Sequence, residues 1–183
     1  HIGKSALRAR IIIQALRAKA RNAEPRLAAF DLNEALREAA VLVAGPLDSL
    51  GVALELRGLE AAVLVHGDRV QLQQVVVNLL MNGAEAMASL PPGPRPLCLS
   101  CGGDGEGRVR VTVDDAGTGI GDEAGEHLLK PLFTTKADGM GMGLAICKSI
   151  LDAHGGTLSL SRREPAGTRA VFTLPLSEPG LAP

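Results

Sequence analysis

The stretch 68–87, DRVQLQQVVVNLLMNGAEAM, decides how the rest of the chain is arranged. Asp68 is a favourable helix N-cap, and the residues after it predict one long helix that ends near Ala88. Most of its residues are Val, Leu, Met and Ala, so the helix is predicted to be buried. The polar residues recur every three or four positions and share one face. They are Gln71, Gln74, Asn78, Asn82 and Glu85.

This polar face carries four uncharged amides and one carboxylate, whereas a solvated face usually carries Lys, Arg and Glu. Asn is also a mediocre helix former, because its side chain competes for backbone hydrogen bonds. Two interpretations fit. The face lines a polar pocket, where Asn oxygens suit Mg²⁺ held together with phosphate oxygens and water, or it forms a buried amide network that ties the helix to a sheet.

The segments around this helix predict an α+β fold. Asp31 can cap a helix through about residue 44, and a further helix is predicted over 142–153. Alternating apolar residues predict strands near 51–58 and 62–67, then at 97–101, 108–114, 157–162 and 169–174. Strands and helices follow one another without regular βαβ alternation. We therefore expect a two-layer α/β sandwich with helices on one face of a mostly antiparallel, mixed sheet.

The first 23 residues predict a separate helix with a narrow apolar seam and basic flanks. The seam has heptad spacing, which favours pairing with another helix over ordinary packing on the chain's own domain. It consists of Ile2, Ala6, Ala9, Ile13, Leu16 and Ala20. Pro25 closes the segment, so a domain boundary is expected near residues 24–29. Because the chain starts at His1 rather than Met, we expect it to be part of a longer protein.

Composition excludes several classes of function. The net charge of −1 gives no sign of polyanion binding, and aromatic residues at 2% leave no platform for stacking on nucleic-acid bases. Cys98 and Cys101 form a lone CxxC pair without further zinc ligands, so with Cys147 they are expected to be reduced thiols of a cytoplasmic protein. The sequence contains no apolar run long enough to span a membrane.

A predicted strand runs directly into Asp114, Asp115, Gly117, Gly119 and Gly121. An ionised Asp only accepts hydrogen bonds, which suits the amino group of adenine, and the glycines would let a ligand lie against bare backbone. A tight turn built from Asp and Gly explains the same pattern.

A second glycine cluster, Gly139, Gly141 and Gly143, opens the helix predicted at 142–153. Glycines at a helix start expose N–H groups at its positive end, which is an anion site. Lys136, a few residues upstream, could add a point charge for phosphate. An acid for adenine, amides for Mg²⁺ and a glycine-rich helix start for phosphates together fit one ligand.

These segments resemble the catalytic ATP-binding domain of bacterial sensor histidine kinases, in the superfamily of Bergerat-fold ATPases that includes gyrase, the heat-shock 90 chaperones and MutL. NLLMNGAEAM (78–87) resembles its N box and DAGTGIG (115–121) its first glycine box. PLFTTK (131–136) resembles the F box, and GMGMGLAICKSILDAHGG (139–156) the second glycine box. GTRAVFTLPL (167–176) resembles the closing strand, so the likeness covers about residues 30–176.

The resemblance implies roles for individual residues. Asn82 would coordinate Mg²⁺, Asn78 would lie beside the phosphates, Asp115 would bind the adenine amino group and Thr168 would support it, while Lys136 would aid phosphoryl transfer. A lid over about 120–140 would close on ATP. The further nucleotide contacts that the resemblance implies are Gly117, Gly119, Ile120, Phe133, Thr135, Gly139, Gly141, Met142, Gly143 and Leu144.

The resemblance also implies a domain plan and partners. Residues 1–25 would be the second helix of an incomplete dimerisation hairpin, 26–177 the catalytic domain and 178–183 a tail. His1 does not match the motif of a phosphoacceptor histidine, and His66, His127 and His154 are expected to be structural or solvent-facing in loops or at helix ends. Phosphate would pass from ATP to a histidine on the dimerisation domain of a homodimer, then to a response-regulator receiver domain. An ATPase of the gyrase type and a non-catalytic nucleotide-sensing scaffold are the alternatives.

Overall fold

A computed structural model describes residues 26–121 and 143–177. These residues form three helices and seven strands in mixed order. In chain order they are β1 (Leu27–Asp31), α1 (Leu32–Ser49), β2 (Ala53–Arg57), β3 (Leu64–Asp68), α2 (Arg69–Ala88), β4 (Pro96–Gly103), β5 (Arg108–Asp115), α3 (Gly143–Ala153), β6 (Thr157–Arg162) and β7 (Thr168–Pro175).

Five strands form the main sheet in the order β2-β4-β5-β7-β6. The β2–β4 pair is parallel and the other three pairs are antiparallel, while β1 and β3 form a separate antiparallel pair. The period of two along each strand sets the register, because it places apolar residues opposite one another on one face. Leu99 lies opposite Val113, and Val111 opposite Phe172.

The helices cover that apolar face, and the other face is left to polar and half-buried side chains. The core residues that the sheet contributes are Leu97, Leu99, Cys101, Val109, Val111, Val113, Leu158, Ala170, Phe172 and Leu174. The expected fold class, a two-layer α/β sandwich with a mixed, mostly antiparallel sheet, is confirmed.

Helix α2 lies at the centre of the helical layer and packs against α1, α3 and the strands β4 and β5. Its start is fixed by Asp68, whose carboxylate accepts hydrogen bonds from the backbone N–H groups of Val70 at 2.9 Å and Gln71 at 3.1 Å. Residues 72–81 are all buried, as expected of a helix that is mostly apolar around its circumference. The predicted bounds of this helix are confirmed.

Two elements differ from the prediction. Strand β1 occupies the segment where only a domain boundary was expected. Its residues do not alternate between apolar and polar, so the sequence did not predict a strand, and pairing with β3 holds it in place. Helix α1 continues to Ser49 rather than ending near residue 44, because Pro46 and Leu47 are buried in line with the apolar face before them. His66 lies within β3 and is exposed there, not in a loop.

The predicted N-terminal helix, most of the predicted lid with His127, and the 178–183 tail lie outside the described residues.

Candidate functional site

Asp115 is the last residue of β5 and points to the helical side of the sheet. It alternates with Val111 and Val113, lies opposite Leu97 on β4, and is only 5% exposed. Its Oδ1 accepts backbone hydrogen bonds from Gly117 at 2.8 Å and Thr168 at 3.1 Å. The strand end therefore presents a buried carboxylate whose first oxygen is already engaged by the fold.

Three glycines allow the backbone to close around this carboxylate. A Cβ added to Gly83 of α2 would lie 3.1 Å from the Asp115 Cβ, and one added to Gly117 would lie 2.7 Å from the Ala86 Cβ. A Cβ added to Gly167 would lie 2.0 Å from the Asp115 carbonyl oxygen. The helix, the turn after β5 and the β6–β7 hairpin thus meet at Asp115 because side chains are absent there.

The electrostatics of Asp115 reflect this enclosure. Burial raises its pKa above the ordinary value, and the two backbone N–H groups and the Arg163 guanidinium partly oppose that rise. Arg163 also donates a hydrogen bond to the Asp115 carbonyl oxygen at 3.2 Å. No described group donates to the second carboxylate oxygen, Oδ2, so this atom can accept a hydrogen bond from a ligand.

Asp114, one residue earlier, faces the opposite side of the sheet. Its two carboxylate oxygens accept a bidentate pair from the Arg169 guanidinium, both at 2.8 Å. The alternation of the strand thus separates the two neighbouring acids. Asp114 forms a surface ion pair, and Asp115 alone faces the helices.

The polar face of α2 is only partly buried. Gln74 and Asn78 are 3% exposed, whereas Gln71, Asn82 and Glu85 are half-buried. Among the described residues, the four amide side chains of this face make one hydrogen bond, from the Asn78 Nδ2 to the Cys147 Sγ of α3 at 3.6 Å. This bond runs to a helix and not to the sheet. The amide network considered from the sequence is therefore absent from the described part of the chain, which favours the pocket interpretation.

The remaining predicted site residues fall into two groups. Gly143 opens α3 and has open space at its Cβ position, and Leu144 packs partly against the core. Gly119 has a φ of +74° and a Cβ position 3.0 Å from the Gly167 carbonyl oxygen, which places the loop containing Ile120 beside the hairpin. Other predicted contacts lie outside the described residues: Phe133, Thr135, Lys136, Gly139, Gly141 and Met142.

Sequence reasoning missed three residues of this region: Gly83, Gly167 and Cys147. Gly83 carried a usable signal, because glycine inside a helix costs about 1 kcal/mol relative to alanine and indicates a close approach. Gly167 was interpreted only as the first residue of the segment that resembles the closing strand. Cys147 gave no signal, since its contact with Asn78 depends on how two helices pack.

All three cysteines are free thiols. Cys98 is half-buried on the outer face of β4 and Cys101 is buried on the inner face, so the pair cannot share one zinc ion. Burial raises the pKa of Cys101 to about 11. Within residues 26–121 and 143–177, no cluster of three His, Cys, Asp or Glu side chains could hold a metal, and no helix has the length and apolar character needed to cross a membrane.

Comparison with known proteins shows which family this chain belongs to. Residues 67–178 match the sequence model of the histidine kinase-, DNA gyrase B- and HSP90-like ATPases. The chain is 38% identical over 185 residues to the C4-dicarboxylate transport sensor protein DctS of Rhodobacter capsulatus, covering 98% of this chain and 27% of that protein. It spans between about a fifth and a third of the length of the first curated relatives that it matches.

Comparison with solved structures leads to the same family. The catalytic domain of the histidine kinase ThkA superposes with a TM-score of 0.70 at 32% identity, covering 82% of this chain and 95% of that domain. A complex of ThkA with the response regulator TrrA matches with a TM-score of 0.70 at 28% identity, covering 96% of this chain and 49% of that chain. The chain therefore belongs to the histidine kinase-, DNA gyrase B- and HSP90-like ATPase family, as an ATP-binding catalytic domain of the sensor histidine kinase type.

Proposed function

We propose that this chain transfers the γ-phosphoryl group of ATP to a histidine of a dimerisation domain, as the catalytic part of a two-component sensor kinase. The observation that carries the proposal is Asp115, a buried residue that Gly83 and Gly167 approach closely, with one carboxylate oxygen held by the backbone and the other without a described donor. A buried acceptor of this kind favours a ligand that can donate a hydrogen bond to it.

At the adenine end, Asp115 Oδ2 accepts the hydrogen bond of the exocyclic amino group. The N–H bonds from Gly117 and Thr168 fix the carboxylate in place before the ligand arrives, so little conformational freedom is lost on binding. Gly117 and Gly119 let the loop after β5 lie close to Ala86 of α2 and to the Gly167 carbonyl oxygen, which brings this loop to the edge of the proposed site. The hydroxyl of Thr168, next to the N–H that binds Asp115, supports the ring.

At the phosphate end, the exposed side of α2 fits a hydrated magnesium ion. The Asn82 amide is half-buried and makes no hydrogen bond to a described residue, so its oxygen is available as a hard ligand. Asn82 would hold Mg²⁺, which neutralises charge on the phosphate oxygens when bound. Asn78 lies one turn before Asn82, beside the phosphates.

The transfer step itself needs positioning more than covalent help from the protein. An imidazole nitrogen attacks the γ-phosphorus, the bond from that phosphorus to the bridging oxygen breaks, and ADP leaves. The start of α3 at Gly143 directs backbone N–H groups toward the phosphates. Lys136, Phe133, Thr135, Gly139, Gly141 and Met142 belong to the proposed lid and phosphate site.

The partners follow from the same proposal. ThkA, a structural relative, has been crystallised with a response regulator, and we propose a receiver domain as the partner here too. We also propose a homodimeric full-length protein, in which residues 1–25 join this domain to the dimerisation domain. ATP as the substrate and three free thiols suit a cytoplasmic location.

The adenine assignment is tested by calorimetry of ATP binding to Asp115→Asn. The Asn oxygen can still accept the N–H bonds of Gly117 and Thr168, so the fold is retained, but its amide N–H₂ group opposes the adenine amino group. Loss of a hydrogen bond to a charged acceptor predicts about 10- to 100-fold weaker binding. Asp114→Asn is the matched control, because it makes the same change on the opposite face. Equal affinities of the two variants would overturn the assignment.

The magnesium assignment is tested with Asn82→Ala. ATP binding to the unsubstituted chain should tighten when Mg²⁺ is added, and this difference should disappear in the variant. A magnesium dependence that survives the substitution would place the cation elsewhere.

The two alternatives predict different products. In the gyrase and chaperone ATPases a Glu, one turn before the magnesium Asn, activates water, whereas here that position is Asn78, which cannot act as a base. A sustained ATPase rate of the chain alone would favour hydrolysis. With labelled ATP, Mg²⁺ and the dimerisation domain supplied, a kinase forms an acid-labile phosphohistidine, and a nucleotide-sensing scaffold forms none.

A further inference from the structure

The thiol of Cys147 forms a polar contact between α3 and the polar face of α2. Cys147 is fully buried in α3, and Leu151, one turn later, is buried on the same face. The Cys147 Sγ lies 3.6 Å from the Asn78 Nδ2 and 3.9 Å from the Val75 carbonyl oxygen. Both partners belong to one turn of α2, so the sulfur sits against that turn.

The chemistry of a thiol fits both contacts at once. An S–H group is a weak donor, and the sulfur is a weak acceptor. The Cys147 S–H donates to the carbonyl of Val75, and the sulfur accepts an N–H of Asn78. A hydrophobic residue of similar size would fill the same space and leave that N–H without a partner.

The two ends of the Asn78 amide have different surroundings. No described group donates to the Asn78 oxygen, whereas the nitrogen donates to the Cys147 Sγ. The nitrogen therefore faces the thiol of α3, and the oxygen is left without a donor among the described residues.

We propose that Cys147 is a positioning residue, which holds the Asn78 side chain with its nitrogen inward and its oxygen toward the bound nucleotide. An amide can turn about its last bond and present a donor instead of an acceptor, and a fixed partner at the nitrogen prevents this exchange. This inference rests on the proposed function, in which Asn78 lies beside the phosphates and their cation. There an outward oxygen would suit a cation beside the phosphates, and an outward N–H₂ group would repel it.

The same contact joins the two sides of the phosphate site. Helix α3 begins at Gly143, which the proposed function assigns to the phosphate site, and α2 carries Asn78 and Asn82. At the far end of the helix pair, the His154 Nε2 accepts the backbone N–H of Asp68 at 2.9 Å. The helices are therefore antiparallel and linked at two points, and the Cys147 link lies on the side of the nucleotide.

The test compares Cys147→Ala with Cys147→Ser. Both variants remove the sulfur and have almost the same volume, but Ser keeps a hydroxyl that can donate to Val75 and accept from Asn78. ATP affinity in the presence of Mg²⁺, measured by calorimetry, should fall about two- to tenfold in the Ala variant, the range for one uncharged hydrogen bond. The Ser variant should stay within about twofold of the unsubstituted chain. Leu151→Val loosens the same helix face without a polar change and should leave the affinity unaltered.

A double-mutant cycle separates positioning from general loosening. In an Asn78→Ala background, Cys147→Ala should have no further effect on affinity, because the residue through which it acts is gone. Equal losses in both backgrounds, or equal losses in the Ala and Ser variants, would overturn the proposal.

The nucleotide-free chain gives a readout that does not depend on the proposed function. One side-chain amide proton of Asn78, observed by nitrogen-15 NMR, should exchange slowly with solvent in the unsubstituted chain and the Ser variant, and rapidly in the Ala variant. Rapid exchange in all three would overturn the positioning role. Failure of the unsubstituted chain to bind ATP would instead overturn the proposed function, and the NMR result would still decide the orientation of Asn78.

Discussion

Replacement of Gly167 by Ala should damage both the stability and the nucleotide site, for a reason that the structure gives in numbers. Gly167 has a φ of +110°, a conformation that residues with a side chain rarely adopt. Its added Cβ would lie 2.0 Å from the Asp115 carbonyl oxygen, whereas ordinary contact begins near 3.4 Å. The oxygen belongs to the backbone, so no side-chain rotation can relieve the contact.

The expected loss has two parts. The backbone conformation costs a residue with a side chain about 1–2 kcal/mol. Forcing the hairpin away from β5 costs about 1–3 kcal/mol more, as in other overpacked sites. The movement also lengthens the bond from the Thr168 N–H to the Asp115 Oδ1, now 3.1 Å. Gly167→Ala should therefore unfold about 2–5 kcal/mol more easily and bind ATP more weakly.

Gly107→Ala is the matched control. Gly107 also has a positive φ, +72°, but an added Cβ would meet nothing within 4 Å. It precedes β5 at the end opposite Asp115, roughly 25 Å away at the usual rise of a strand. The control should lose only the conformational part and keep its ATP affinity. Urea unfolding and calorimetry measure both quantities. If the two variants lose equal stability, the close approach of Gly167 to Asp115 does not constrain the fold.

Three further outcomes are expected. Phe172 is fully buried at the centre of the sheet face, so Phe172→Ala should lower the free energy of unfolding by about 3–5 kcal/mol. Urea unfolding measures this loss, and a loss of about 1 kcal/mol would mean that the core is less tightly packed there. Asp68→Ala removes the N-cap of α2 and should lower the free energy of unfolding by about 1 kcal/mol, measured in the same way. An unchanged stability would mean that water replaces the carboxylate as acceptor for the N–H groups of Val70 and Gln71. Burial raises the pKa of Asp115 above 3.8, so ATP affinity should fall as the pH drops through that raised pKa. Titration calorimetry in acidic buffers measures this affinity. An affinity that does not change there would mean that the carboxylate does not bind the ligand.

The order of elements was predictable because the sequence signals were local. Asp68 and the uninterrupted apolar run after it specify α2, and the alternation of valines specifies β5. Strand β1 was not predictable in this way. Its residues LAAFD have no period of two, and the strand exists because β3, which follows more than thirty residues later, offers it a partner. Information of this kind lies in the tertiary fold.

The candidate site was predictable to the level of its motifs and not of its contacts. The sequence at the end of β5 predicted an acidic residue that binds a ligand. Alternation along the strand explains why Asp115 faces the helices and Asp114 does not. The approach of Gly167 to Asp115 joins segments more than fifty residues apart, and the contact of Cys147 with Asn78 joins segments almost seventy apart. Neither contact leaves a periodic trace in the sequence.

Stability and ligand binding make opposite demands on Asp115. Its pKa is raised in the folded chain, so as the pH rises through that value the ionised carboxylate increasingly destabilises the fold relative to the unfolded chain, where it is well hydrated. The adenine amino group, however, needs the ionised form as its acceptor. The N–H groups of Gly117 and Thr168 and the nearby Arg163 limit the cost of ionisation, and they do so through Oδ1 and the field around it. Oδ2 is thereby kept charged and without a described donor, which is the condition under which a buried carboxylate gains most from binding a ligand.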